Sequence, residues 1–202
     1  MDNLIVLNNE KISEKNGKFY CRNFNFKILP EGLNKFFNVE YIARKSKTDE
    51  HHELNLGSNT MTITGTSDVD GTVNIGTGTY DANGAFDATG GSVTFTDAGR
   101  LELAGTVTSF GTFTPSTGKV IYIVGVQYVL AENYSNLTFR GSGVKTASGN
   151  INVSNELVIR SSATYDIAAT TTTVTGTTYV NSSGTLSTVS YTHLTLPTNS
   201  NV

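Results

Sequence analysis

Between Leu54 and Thr188 the chain is a succession of short runs in which apolar residues occupy alternate positions. Met61-Thr62-Ile63-Thr64, Val73-Asn74-Ile75, Val93-Thr94-Phe95, Leu101-Glu102-Leu103, Leu137-Thr138-Phe139, Ile151-Asn152-Val153 and Leu157-Val158-Ile159 all follow this rule. Successive side chains on a strand point to opposite faces, so each run predicts a strand with one apolar face and one bearing mostly Thr or Asn. Gly, Asn, Asp and Ser separate the runs and take up turn geometry at little cost. No helical period interrupts them.

The intervals carry a second signal. Gly71-Thr72-Val73, Gly91-Ser92-Val93 and Gly111-Thr112-Phe113 recur every twenty residues. A period of that order marks a solenoid in which each repeat is one coil and neighbouring coils complete one another's core. The expected fold is mainly β, an incomplete right-handed parallel β-helix with rungs about 4.8 Å apart. The alternative is a β-sandwich whose hairpins share a length. The register fades after Leu130.

Residues 1–53 follow a different pattern. Leu4-Ile5-Val6-Leu7 is continuously apolar, as in a strand buried on both faces. Lys18–Cys21, Phe24–Phe26 and Val39–Ala43 predict further strands, and Pro30–Phe37 a short helix with Pro near its first turn. This is a small α/β segment. Composition breaks at the same place: residues 1–53 hold nine of the 14 Lys and Arg, whereas 18 of the 20 Gly lie after them. Three domains are therefore expected: the segment 1–53, the repeats 54–188, and a tail 189–202.

Charge and cysteine content exclude several classes. A net charge of −3 gives no reason to expect nucleic acid as a partner. Cys21 is the sole cysteine, so neither an internal disulfide nor a multi-cysteine metal site can form. No run is long enough for a membrane-spanning helix, and the first residues lack the pattern of a secretory signal.

Candidate chemistry is sparse. Glu50-His51-His52-Glu53 offers metal-ligating types, but neighbouring residues do not converge on one side of a helix or strand. Asp68-Val69-Asp70-Gly71 begins like a calcium loop and lacks the distal Glu, so the two Asp are expected to set a turn. Arg100, Lys119, Arg140, Lys145 and Arg160 are scattered in sequence, and Asp81, Asp87 and Asp97 sit among turn residues. Of the aromatic group Phe110, Phe113, Tyr122, Tyr128, Tyr134 and Phe139, most are expected in the core. The sequons at Asn133, Asn136, Asn152 and Asn181 are expected by chance in so Thr- and Ser-rich a chain. No catalytic, cofactor-binding or metal residue is assigned. A stack of carboxylates in register along one face would favour a polysaccharide-degrading enzyme instead.

Two resemblances add expectations. Gly111–Val120, Tyr134–Phe139 and Gly141–Thr146 together resemble a repeat of large secreted or cell-surface proteins of the Bacteroidota. That resemblance implies a β-helical stalk displayed outside the cell, non-enzymatic and adhesin-like, with glycans or surface proteins as partners. Leu4–Leu7 followed by Phe37–Ser46 resembles the opening of a two-domain, Rossmann-like retaining glycosyltransferase. It implies a glycosyltransferase fragment, cytoplasmic if native, as the alternative function. Asn8-Asn9-Glu10 stands where a phosphate loop would follow, so no site residue is carried over. Val189–Thr198 matches the translation of a transposase-based sequencing adapter, so the tail is expected to be an artefact. The natural repeats are then expected to continue past Thr188, and residues 1–53 to be a chimeric join.

Overall fold

A computed structural model describes residues 53–188 and, before them, the backbones of four strands. These are β1 (Asn3–Leu7), β2 (Lys11–Lys15), β3 (Lys18–Arg22) and β4 (Asn38–Ile42). β1 pairs in parallel with β4, and β2 and β3 form an antiparallel pair. Three of the four coincide with strands expected from sequence; β2 was not expected. The strand at Phe24–Phe26, the helix at Pro30–Phe37, residues 50–52 of the His/Glu cluster and the tail 189–202 lie outside the described residues.

From Glu53 the chain winds through seven coils. The first is β5 (Glu53–Asn55), β6 (Thr60–Ile63) and β7 (Ser67–Asp68). The second is β8 (Thr72–Ile75), β9 (Thr79–Ala82) and β10 (Phe86–Asp87). The third is β11 (Ser92–Phe95), β12 (Arg100–Leu103) and β13 (Val107–Ser109). The fourth is β14 (Thr112–Thr114), β15 (Lys119–Tyr122) and β16 (Gln127–Val129). In the fifth and sixth coils the first two strands merge, giving β17 (Asn133–Phe139) with β18 (Gly143–Ala147), then β19 (Ile151–Ile159) with β20 (Ala163–Asp166). The seventh is β21 (Thr172–Val174), β22 (Thr177–Val180) and β23 (Thr185–Ser187).

Every strand pairing from β5 to β23 is parallel, which excludes the antiparallel sandwich. Val93 pairs with Val73 on one side and Phe113 on the other, as the twenty-residue interval requires. The inward positions form continuous apolar columns. One runs Tyr80, Leu101, Val120, Leu137 and Leu157; the next runs Ala82, Leu103, Tyr122, Phe139 and Ile159, and all of these are buried.

The loss of register after Leu130 has a simple cause. In the third coil residues 96–99 turn the corner between the first two faces, and residues 115–118 do so in the fourth. In the fifth coil that turn is gone and β17 runs straight across. Val120 consequently pairs with Leu137, an interval shortened by the missing turn. The first-face ladder stops at β14, and the third face divides between β13 and β16.

Two buried side-chain amides span these breaks. Gln127 Nε2 donates to the carbonyls of Leu103 (3.0 Å) and Gly105 (2.9 Å). Asn136 Nδ2 donates to those of Thr117 (3.0 Å) and Gly118 (3.1 Å). The Leu103 and Gly118 carbonyls also accept the backbone N–H groups of Ile123 and Asn136, so each amide ties one paired carbonyl to a second near the break, where an unpaired buried carbonyl would be costly.

Stacked corners also need residues without side chains. A Cβ on Gly105 would collide with the Gly84 carbonyl, as one on Gly84 would with Gly65. Both obstacles are backbone, so the coils themselves would have to part. Gly105→Ala is expected to destabilise the solenoid by about 1–3 kcal/mol, read from urea denaturation. An unchanged midpoint would mean the corner yields freely.

Candidate functional site

The step where protruding turns give way to a straight strand leaves an open cleft of about 630 Å³. Ala98 and Arg100 line it from the third coil, and Thr117 and Lys119 from the fourth. Ser135 and Asn136 come from the fifth, Asn155 and Glu156 from the sixth. The cleft therefore runs along the solenoid axis over four rungs, about 14 Å at strand spacing.

Arg100 and Lys119 are scattered in sequence, but coiling corrects that expectation by placing them on adjacent rungs in register. The next positions are Asn136 and Glu156. Lys119 Nζ reaches past Asn136 to Glu156 Oε2 at 3.0 Å, with both side chains about a third exposed (34% and 30%). An ion pair so exposed is worth at most about 1 kcal/mol and rearranges easily. Arg100 is exposed, and its guanidinium has no hydrogen-bond or carboxylate partner among the described residues.

The floor is fixed. Asn136 Oδ1 accepts from Asn155 Nδ2 at 2.7 Å while its own amide holds the two carbonyls below. Ser135 and Asn136 are buried. β19 has one residue more than β17 here, since Tyr134 pairs with Val153 and Asn136 with Glu156. The cleft thus combines a buried, hydrogen-bonded neutral floor with exposed or partly exposed charged walls.

The other candidates fall elsewhere. Arg140 makes an ion pair with Glu102, spanning the rung of Ile121. Lys145 points inward and is buried; its Nζ donates to the carbonyls of Gly125 (2.7 Å) and Ser142 (2.9 Å). Burial lowers its pKa. Arg160 follows β19 at a corner. Asp81, expected in a turn, instead lies within β9, where its Oδ2 accepts from Thr62 Oγ1 at 3.3 Å. Alternation decides this, because Tyr80 and Ala82 must both face the core. Asp87 and Asp97 cap turns through the N–H groups of Thr89 and Ala98. Asp68 ends β7 and Asp70 follows it. Among the described residues no group of three or more His, Cys, Asp or Glu side chains could hold a metal ion.

Asp81 and Glu102 are carboxylates in register on neighbouring rungs. The stack ends there: Thr62 precedes it, Ile121 follows it, and Arg140 occupies Glu102. Phe110, Tyr122, Tyr134 and Phe139 are core residues, and Phe113 packs against them. Tyr128 is the exception, 66% exposed on the third face.

Sequence reading did not single out Ser135, Asn155 or Glu156, and met Asn136 only as a sequon. Their signal was present as the shortened interval before Leu137. A coil that loses a turn must leave a step against the coil before it. No protein-family model, curated protein or solved structure matches this chain.

Proposed function

We propose that the repeat region is a non-catalytic, adhesin-like scaffold displayed outside the cell, and that its cleft binds glycans. The observation carrying this reading is the cleft itself: four successive coils each present a pair of residues to one axial groove. A saccharide chain lying along the axis would meet new contacts at every rung, and hydroxyl-rich ligands suit a wall of Thr, Ser, Asn, Arg and Glu. The floor residues Ser135 and Asn136 are buried and held in place, so binding orders few side chains there. Extracellular display follows the resemblance of Gly111–Thr146 to Bacteroidota surface repeats.

Titration with a panel of soluble oligosaccharides, followed by amide chemical shifts, tests this. The expected result is binding at micromolar to millimolar ligand, with shifts concentrated in β12, β15, β17 and β19. Arg100→Ala, a change at an exposed position, is expected to weaken the preferred ligand at least tenfold, about 1.4 kcal/mol, without altering the melting temperature. Shifts centred on Tyr128 and the third face would relocate the site. No shift with any sugar would end the glycan reading.

A further inference from the structure

We infer that the cleft selects acidic oligosaccharides, with the carboxylate of a uronic-acid unit seated on Arg100 beside Lys119. This rests on the glycan-binding reading above and adds the ligand's charge.

The argument is one of unmatched charge. Residues 54–188 carry five bases and nine acids, so the region as a whole repels anions. Within the cleft the balance reverses, to two cations against Glu156. Lys119 is already matched by Glu156, and Arg140 by Glu102. Lys145 is buried against carbonyls. Arg100 is left as an exposed guanidinium facing the groove, next in register to Lys119.

A guanidinium's planar fork fits a carboxylate through two parallel hydrogen bonds. One free cation matches one carboxylate; a phosphate dianion would leave charge unpaired. The remaining wall is neutral, with Thr117 and Asn155 suited to sugar hydroxyls. The backbone of Lys119 lies one rung away, about 4.8 Å along the axis, and its ammonium reaches away from Arg100 to Glu156. It can turn from Glu156 toward the incoming carboxylate because its exposed pair holds it weakly. Glu156 therefore competes with the ligand for Lys119.

That competition gives the test a distinctive sign. A glucuronic acid trimer and its methyl ester share a skeleton and differ in charge. The free acid is expected to bind at least tenfold more tightly to the full chain, and its affinity to fall with added salt. Arg100→Ala should abolish the difference. Glu156→Gln should tighten the acid about three- to tenfold and leave the ester unchanged, since it releases Lys119. Equal binding of acid and ester overturns the charge selection and leaves a neutral glycan cleft standing. Weaker acid binding by Glu156→Gln also overturns it. Failure of both trimers and of every neutral sugar overturns the glycan reading together with this one.

Discussion

Raising the pH from 10 to 12 is expected to remove about 4 kcal/mol of stability from the solenoid. Three tyrosines on inward positions are responsible. Tyr122 accepts from the Leu130 N–H at 3.2 Å, and Tyr134 donates to the Leu130 carbonyl at 2.8 Å. The Tyr165 hydroxyl lies 2.6 Å from Thr172 Oγ1. The neutral phenols are thus satisfied inside the coil, whereas a phenolate would lose its hydration. Burial pushes Tyr122 and Tyr165 up to about 12, and Tyr134 well above its ordinary value of 10.0.

Above pH 10 the unfolded chain releases protons that the native chain keeps, so each step up in pH favours unfolding. Two groups held two units high account for the stated loss, and Tyr134 deepens it. Lys145 acts oppositely but earlier. Its lowered pKa means the native state holds fewer protons just below 10.5, so its term raises stability with pH there and adds nothing more above. Since whole domains are stable by only about 5–15 kcal/mol, a loss of this size is a large fraction of the whole and should lower the denaturant midpoint steeply across this window. Denaturant midpoints measured with phenolate absorbance across the range would check it. Tyr165→Phe should flatten the decline, and native phenols titrating near pH 10 would refute the account.

Phe139→Ala should cost about 3–5 kcal/mol. The ring is fully buried in the fifth coil, stacked on Tyr165 with centroids 4.5 Å apart and 6.0 Å from Tyr122. Its rung neighbours are Tyr122 and Ile159. Removing it leaves a cavity that sheets pinned on both sides cannot collapse. In a solenoid each coil is stabilised mainly by its neighbours, so the loss concentrates at one interface. Unfolding should then divide into two steps, with β17 to β23 melting first and the Val73–Val93 ladder persisting. Hydrogen exchange resolved by strand would show this. Tyr128→Ala, at an exposed position in the adjoining coil, should shift stability by no more than about 0.5 kcal/mol. A similar small shift for Phe139→Ala, in one cooperative step, would mean the coils are not coupled through their interior.

The alternation of apolar residues and the twenty-residue interval were sufficient to predict stacked parallel rungs. They also placed Val73, Val93 and Phe113 one over another. Translation is the reason: when coils have equal length, the same position in each repeat meets its equivalent, and period alone gives the contact. That logic fails wherever a turn changes length. Polar turn residues carry no period, so the shortened interval before Leu137 signalled a lost turn but did not show which corner β17 would run straight across or which side chains would line the step. Arg140 and Glu102, or Lys119 and Glu156, meet two coils apart through long side chains. Their meeting depends on the summed lengths of the turns between them. The sequence by itself therefore determined the rung and its oily side, while the cleft, its free arginine and its buried amides were decided only when unequal coils were stacked.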